Sequence, residues 1–531
     1  MSFVLKNTAF GDLLHLISRG KLVQSETQKR DLSELDSHFT RDAETNELIV
    51  DWYGENDPEC PYNWPTWYKC WVTFLIFFMT MSVYMGSSVV SPSILAMANE
   101  FGVSQTTATL TMSLFVWGYG IGPLFLSPIT EISWIGRNGP YIVGLGIFTI
   151  LQIPTALVNN IAGMLVLRFL AGFFGSPVLG TGGASVGDMW RMDAGFPNAL
   201  AFYAWGGCGG PALGPLLVSF AVEDLGWRWS FWPLLCLNGL NWILLFFALP
   251  ETSSITILTR RAKQIRSLKG NLEYRSAGEI SDRKLTAGEL FSATLYRPFL
   301  LTVTEPVLMC TNLYISLVYG IMYCFFEAYP LTLQGNHGFS AGTLGVSYVS
   351  GFIACGLVLI FYCIYNNKVV LKRFREGAWK PEYRMEPAFV GGVIFPISMF
   401  WFGWTSYSSV HWISPVIAFG AFIISAFLLF QGLMAYLGEN FPRYMASVFA
   451  SNGLFRAMVG GAFPLFATQM FDKMTLQGGC SMLGGMALFL LPVIVIFYTY
   501  GAKLRSMSKN AGMGEAQEEE DIEKGEMPTS N

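Results

Sequence analysis

Twelve apolar stretches of roughly 20 residues, each about the length that crosses a bilayer core, constrain this chain more than anything else in it. They lie near residues 70 to 91, 107 to 128, 139 to 158, 162 to 187, 197 to 220, 230 to 249, 299 to 326, 341 to 365, 388 to 405, 412 to 437, 443 to 468 and 480 to 501. In lipid every backbone donor and acceptor must be satisfied within the protein, and stretches of this length satisfy them as helices. The expected fold class is therefore an all-α polytopic membrane protein. Composition agrees, with 52% hydrophobic and 13% charged residues over 531 positions, where soluble domains carry about 25% charged. The net charge of -4 is spread over tails and loops, so no basic face for nucleic acid is expected.

Lys and Arg set the orientation. They concentrate before the first span, in the 250–298 and 366–386 connections and after the last span, while Arg228 and Lys473 stand on the other side. Both termini are thus expected in the cytosol. The chain divides into a cytosolic tail (1–69), a six-span half (70–249), a cytosolic central loop (250–298), a second six-span half (299–501) and an acidic cytosolic tail (502–531). Residues 1–20 mix Phe3, Leu5, Phe10, Leu13 and Ile17 with Lys6, Asp12 and Arg19, a spacing read as an interfacial amphipathic helix. The acidic segment from Asp31 to Glu59 reads as solvated. The basic run from Arg260 to Gly270 reads as a helix on an anionic membrane surface.

Within the fifth span, Gly206, Gly210 and Gly214 stand four apart, which gives a helix one stripe without side chains. Pro211 and Pro215 bend the same helix and remove donors, so it requires a packed neighbour. A tight interface or hinge is the reading. GGPALGP, Gly209 to Pro215, is echoed by GGAFPLF, Gly460 to Phe466, at the matching place in the second half. Repeated halves of this kind bind substrate near the midplane between them.

Gly118, Gly122, Pro123, Pro128, Glu131, Gly136 and Arg137 resemble the loop signature of the major facilitator superfamily, with Glu131 where many members have Asp. Arg168, Gly172 and Gly175 in the fourth span are similar to its arginine motif, and Gly206 to Pro215 to the motif of its antiporters. WRWSFW (Trp227 to Trp232), LPET (Leu249 to Thr252), RPFLLTVTEP (Arg297 to Pro306), FFEAYP (Phe325 to Pro330) and FASNGLFRAMVGGAFPLFA (Phe449 to Ala467) resemble the fungal drug:proton antiporters with twelve spans. The branch conferring resistance to azoles, benomyl and methotrexate is the nearest in likeness, with a caffeine-resistance member also similar. The resemblance implies two pseudo-symmetric six-helix halves and proton-coupled export of lipophilic or cationic drugs by alternating access. It also implies a monomer in the plasma membrane, whose partners are drug, protons and lipid.

Charge inside a membrane is costly, so each instance is a candidate site. Glu305, in the seventh span and followed by Pro306, is the first choice for a reversible proton carrier, with Arg168 and Arg456 as coupling residues. Asn452, Arg456 and Gly460 share one face of the eleventh span. Glu327, near the outer end of the seventh span, is read as a rim or gate residue able to reach water. Glu131, Arg137 and Asp188 resemble the superfamily's cytoplasmic charge cluster, a lock on the inner gate. Tyr84, Tyr203 and Tyr314, with Glu327 and Asn452, are the candidate pocket residues, and abundant aromatics and Met suit adaptable recognition.

Other chemistry has little support. The nine cysteines lack C-x-x-C spacing and the four histidines are scattered, so no metal is expected. Without a G-x-x-x-x-G-K-[ST] run there is no ATP-binding loop, no cofactor and no enzymatic role is expected, and no N-glycosylation sequon occurs. The competing readings are a proton-coupled importer of a nutrient, against which the antiporter-like motif counts, and a non-transporting receptor, against which intramembrane charge counts.

Overall fold

In the computed structural model the chain is described over residues 6–18, 39–41, 47–191, 195–270, 273–284, 288, 292–377, 379–441 and 445–508. The apolar stretches are helices, eleven of them long and apolar enough to cross a membrane. The first half comprises Thr66–Ser88, Gln105–Glu131, Asn138–Leu157, Ile161–Gly175 continued by Pro177–Gly187, Gly195–Leu225 and Trp232–Ala248. The second comprises Pro306–Pro330, Val349–Tyr365 preceded by Ala341–Ser347, Met385–Trp404, Ile413–Asn440, Met445–Ala462 and the long helical run from Pro464. That run breaks at Thr475, whose φ of 64° no helix tolerates. Residues before the break extend the eleventh span and those after it form the twelfth. Met445–Ala462 is the span outside the eleven. Its polar Ser451, Asn452 and Arg456 dilute an otherwise apolar helix.

The glycine stripe does what its spacing requires. A Cβ at Gly206 would lie 2.9 Å from the Phe77 carbonyl oxygen, one at Gly210 2.8 Å from that of Met81, and one at Gly214 2.8 Å from that of Met85. Three glycines four apart thus ride along three carbonyls four apart on the first span, and Pro211 and Pro215 are buried inside the same continuous helix.

The seventh span departs from expectation at its start. Glu305 was placed within the span by the apolar run around it, yet the helix Arg297–Thr304 ends there and a new one starts at Pro306. A residue before proline is pushed out of helical geometry, and Glu305 is extended, with φ -108° and ψ 102°. It therefore lies at the edge of the span's main helix, where it is buried.

Where the N-terminal tail meets the central loop, two further expectations are corrected. A short sheet joins the two segments: β1 (Thr40–Arg41) pairs antiparallel with β2 (Leu48–Val50), and β2 pairs parallel with β3 (Tyr274–Ser276). The acidic tail segment is not simply solvated, because β2 belongs to it and β3 to the central loop. Phe39, Leu48, Val50 and Tyr53 of the tail form one apolar cluster with Ala262, Ile265 and Tyr274 of the loop. Finally, three arginines of the basic helix Ser254–Lys269 pair with protein carboxylates. Arg261 reaches Asp57 at 2.8 Å and Glu59 at 2.6 Å, Arg266 reaches Glu279 at 2.6 Å, and Arg260 reaches Asp12 at 2.9 Å. Burial opposes ionisation of Asp57, but the hydrogen bond and charge of Arg261 outweigh it and hold this carboxyl below its ordinary range. Asp12 belongs to the helix Ala9–Ile17, which sets Phe10 against Phe246 and Phe247 of the sixth span and leaves Leu13 and Ile17 exposed. The acidic run after Glu515 lies outside the described residues.

Candidate functional site

Two arrangements of charge bear on function, one at the inner ends of the first half and one between the halves. At the inner ends, the chain leaves the second span through Gly136, whose φ of 74° favours glycine, and presents Arg137. Its guanidinium pairs with Asp188, at the end of the fourth span, at 2.7 Å. Burial pushes the Asp188 carboxyl up to about 6, against the pull of Arg137 beside it. Thr252 also donates to Asp188. Glu131, the last residue of the second span, is exposed, and among the described residues no ion pair joins it to Arg137. Its place is taken by Glu251, which is fully buried. The Glu251 carboxylate accepts from the backbone N–H groups of Arg137, Asn138, Thr252 and Ser253 at 3.0–3.2 Å. Asn138 opens the third span and Ser253 caps Ser254–Lys269, so one carboxylate closes two helix starts where N–H groups lack partners. The signal was an acidic residue directly after the sixth span, within LPET.

Arg168 is fully buried and forms no ion pair among the described residues. It donates from Nε to the Thr111 carbonyl at 2.9 Å and from Nη2 to that of Gly86 at 2.6 Å, while its guanidinium lies 4.3 Å from the Phe115 ring centre. This arginine thus binds the first, second and fourth spans together through neutral partners.

Between the halves, tyrosines from both sides converge on Arg456. Tyr119 of the second span hydrogen-bonds Tyr319 and, at 3.0 Å, Tyr323 of the seventh. Tyr323 in turn donates to Ser87, the neighbour of Gly86, at 3.0 Å. Arg456 donates to the Tyr84 hydroxyl at 3.2 Å and lies over the Tyr319 and Phe430 rings at 5.2 and 5.9 Å. The network therefore runs from Arg168, by way of Gly86 and Ser87, to Arg456. Gly460 lies against Tyr319 and Tyr323, so the face shared by Asn452, Arg456 and Gly460 is the one that meets the seventh span.

On the side of this cluster away from Arg137 and Asp188, hydrogen bonds join the halves. Trp117 donates to the Met458 carbonyl at 3.1 Å, Gln105 to Thr468 at 3.4 Å, Gln469 to Thr106 at 3.4 Å, and the Gly342 amide to Glu223 at 2.6 Å. Glu327 sits in this seam. It is 8% exposed, with Thr468 beside its carboxylate and with Oε1 accepting no hydrogen bond. It does not reach water as its position near the helix end suggested, because the seam covers it. Tyr319, Tyr323 and Glu327 follow one another at four-residue spacing, which puts Glu327 about 12 Å along the helix from Tyr319.

The remaining candidates disperse. Glu305 is hydrogen-bonded by Ser508, just past the twelfth span. Asn452 donates to Asn312 at 3.0 Å and Asn312 to Ser451 at 2.9 Å, a buried amide–hydroxyl contact between the eleventh and seventh spans. Tyr314 turns toward Gly392 of the ninth span, within the second half. Tyr203, half-buried, donates to the Val178 carbonyl at 2.9 Å. Tyr119, Tyr319 and Tyr323 escaped sequence reasoning, although the four-residue spacing of the last two marked a common face. Among the described residues no group of His, Cys, Asp and Glu could hold a metal.

Two halves of membrane-spanning helices, meeting on a polar cluster at mid-depth, define a helical transport protein. The profile of the Major Facilitator Superfamily matches residues 76–464, and the chain belongs to that family. It is 39% identical over 528 residues to Transporter mfs1 of Schizosaccharomyces pombe, covering 96% of this chain and 99% of that one. It is 41% identical to the Cycloheximide resistance protein of Candida maltosa (92% and 90% covered) and 38% identical to Fluconazole resistance protein 1 of Saccharomyces cerevisiae (90% and 87% covered). In fold it is similar to the proton:xylose symporter XylE, with a TM-score of 0.58 at 14% identity over 82% of this chain and 97% of that one.

Proposed function

We propose that this protein exports small lipophilic compounds in exchange for protons, by alternating access, as a monomer in the plasma membrane with both termini in the cytosol. Relatives named for resistance to cycloheximide and fluconazole, matched over nearly the whole chain, support export. The observation that carries the coupling is Glu327, a carboxylate shut into the external seam with one oxygen accepting no hydrogen bond.

The cycle follows from what burial costs. An ionised carboxylate resists entering a low-dielectric seam, whereas a neutral one enters more readily. When the seam is open, Glu327 takes a proton from outside and cargo leaves. The neutral carboxyl then lets the seam close. From the closed state the proton leaves toward the cytosol along the hydroxyls of Tyr323, Tyr119 and Tyr319, and cargo enters beside Arg456. Arg168 couples the two by holding the Gly86 carbonyl, one residue from the Ser87 hydroxyl that receives Tyr323. The glycine stripe of the fifth span and the Arg137–Asp188–Glu251 knot keep the first half rigid as it rocks. Glu305, at the cytosolic edge, takes no part in proton uptake.

The test is flux of labelled fluconazole in reconstituted vesicles under an imposed pH gradient. Movement opposite to the protons supports export, movement with them supports uptake, and no response contradicts coupling. Glu327→Gln should lose the response and Glu305→Gln should keep it.

A further inference from the structure

The cargo site proposed above carries a positive charge and nothing to balance it. Arg456 is half-buried, forms no ion pair among the described residues, and is surrounded by Tyr84, Tyr119, Tyr203 and Tyr319. Its Nη2 donates to Tyr84, while Nε is buried and donates to no partner. That donor alone does not set it apart, since Arg261 Nε and Arg168 Nη1 are also buried without a partner; what does is its place between the two halves, with a neutral hydroxyl as its partner. Arg261, by contrast, bridges two carboxylates, and Arg168 is held by two carbonyls.

The surroundings also fix the shape of what fits. The Tyr319 and Phe430 rings flank the guanidinium, and the Tyr84 and Tyr119 rings lie 5.5 Å apart beside it. One turn toward the cytosol, Gly453 leaves open space, since a Cβ there would meet nothing within 4 Å. The seam closes the opposite direction. When the halves part, a flat aromatic body can stack among these rings, with an oxygen set against the guanidinium.

We infer that this site selects planar aromatic compounds bearing an anionic oxygen, a carboxylate or phenolate, and disfavours organic cations. Arg456 anchors that oxygen as a charge-assisted, directional donor. A cation would be repelled by the same guanidinium, and the carboxylate in the seam lies two turns farther along the seventh span. Neutral compounds with carbonyl or ring-nitrogen acceptors take an intermediate place. The inference rests on the reading of this interface as the cargo site.

Fluorescein and rhodamine 123 share a flat xanthene body and differ in charge, so they test the inference on the purified full-length protein by fluorescence anisotropy. Wild type should bind fluorescein at least about tenfold more tightly than rhodamine 123. Arg456→Gln should bring the two affinities to within about threefold, and Arg456→Lys should restore part of the preference as a charge without the planar fork. Equal or tighter binding of rhodamine 123 by wild type, a preference that persists in Arg456→Gln, or binding of neither dye would overturn it. The wild-type ratio decides the matter even if a variant fails to fold. Fluconazole flux driven by the pH gradient would leave the export reading standing if the dye preference failed. Dye binding without such flux would do the reverse.

Discussion

Arg261 and Arg456 are both enclosed by protein, yet their surroundings are opposites. Arg261, 2% exposed, lies in the central loop between Asp57 and Glu59, with Tyr53 and Trp52 against its guanidinium. Arg456 lies between the halves among neutral hydroxyls and rings. In the first, one guanidinium bridges two carboxylates, and the tail is thereby fastened to the central loop. The second is incomplete, and that is what leaves it available to a ligand. Arg168 falls between them: it lacks a carboxylate, like Arg456, but two carbonyls and an aromatic face absorb it into the packing. A buried arginine is thus read by what balances it, not by its depth.

The largest expected effect comes from breaking the Arg261 bridge. Arg261→Ala should cost about 3–5 kcal/mol, because it strands two carboxylates. Loss of protection of residues 47–64 in hydrogen exchange would show it, whereas Arg456→Gln should leave that protection intact. The first–fifth span contact comes next. Gly210→Val would drive a side chain into the Met81 carbonyl and Tyr84, an overpacking cost of about 1–3 kcal/mol. Expression and efflux should both fall, and normal efflux at normal expression would show that the stripe is not a tight contact. Glu327→Gln should lower gradient-driven efflux at least about tenfold without lowering dye affinity. Acid sharpens the comparison further. Since the Asp57 carboxyl is held below its ordinary value, its contribution is complete above about pH 4 and is lost as pH falls through that lowered value. Tail protection should therefore be unchanged between pH 7 and 5. The smallest effect belongs to Tyr314→Phe, which faces the ninth span and should leave dye binding within about twofold.

Much of the fold was legible because lipid allows so few solutions. Span length and the four-residue glycine stripe each follow from one physical constraint, and the helices respect them. What the sequence obscured was pairing between distant segments. Asp57 and Arg261 are separated by six spans in the chain, and no local pattern announces that a solvated-looking tail will supply a strand and two carboxylates to the central loop. Glu305 illustrates a different limit: apolar neighbours suggested depth, while the proline that follows it determined where the helix breaks. Arg456 was legible as a charge on the face of Asn452 and Gly460, but its tyrosine partners come from the first, second and seventh spans. Glu327 was legible as a carboxylate near a helix end; its burial depends on residues of the opposite half closing over it.

The central claim is that cargo and proton exclude one another through Glu327, and linkage makes this directly measurable. Fluorescein added to purified protein in weakly buffered detergent solution should release protons from wild type. Glu327→Gln should bind the dye and release none. Equal release from both proteins, or none from wild type despite saturating binding, would contradict the account.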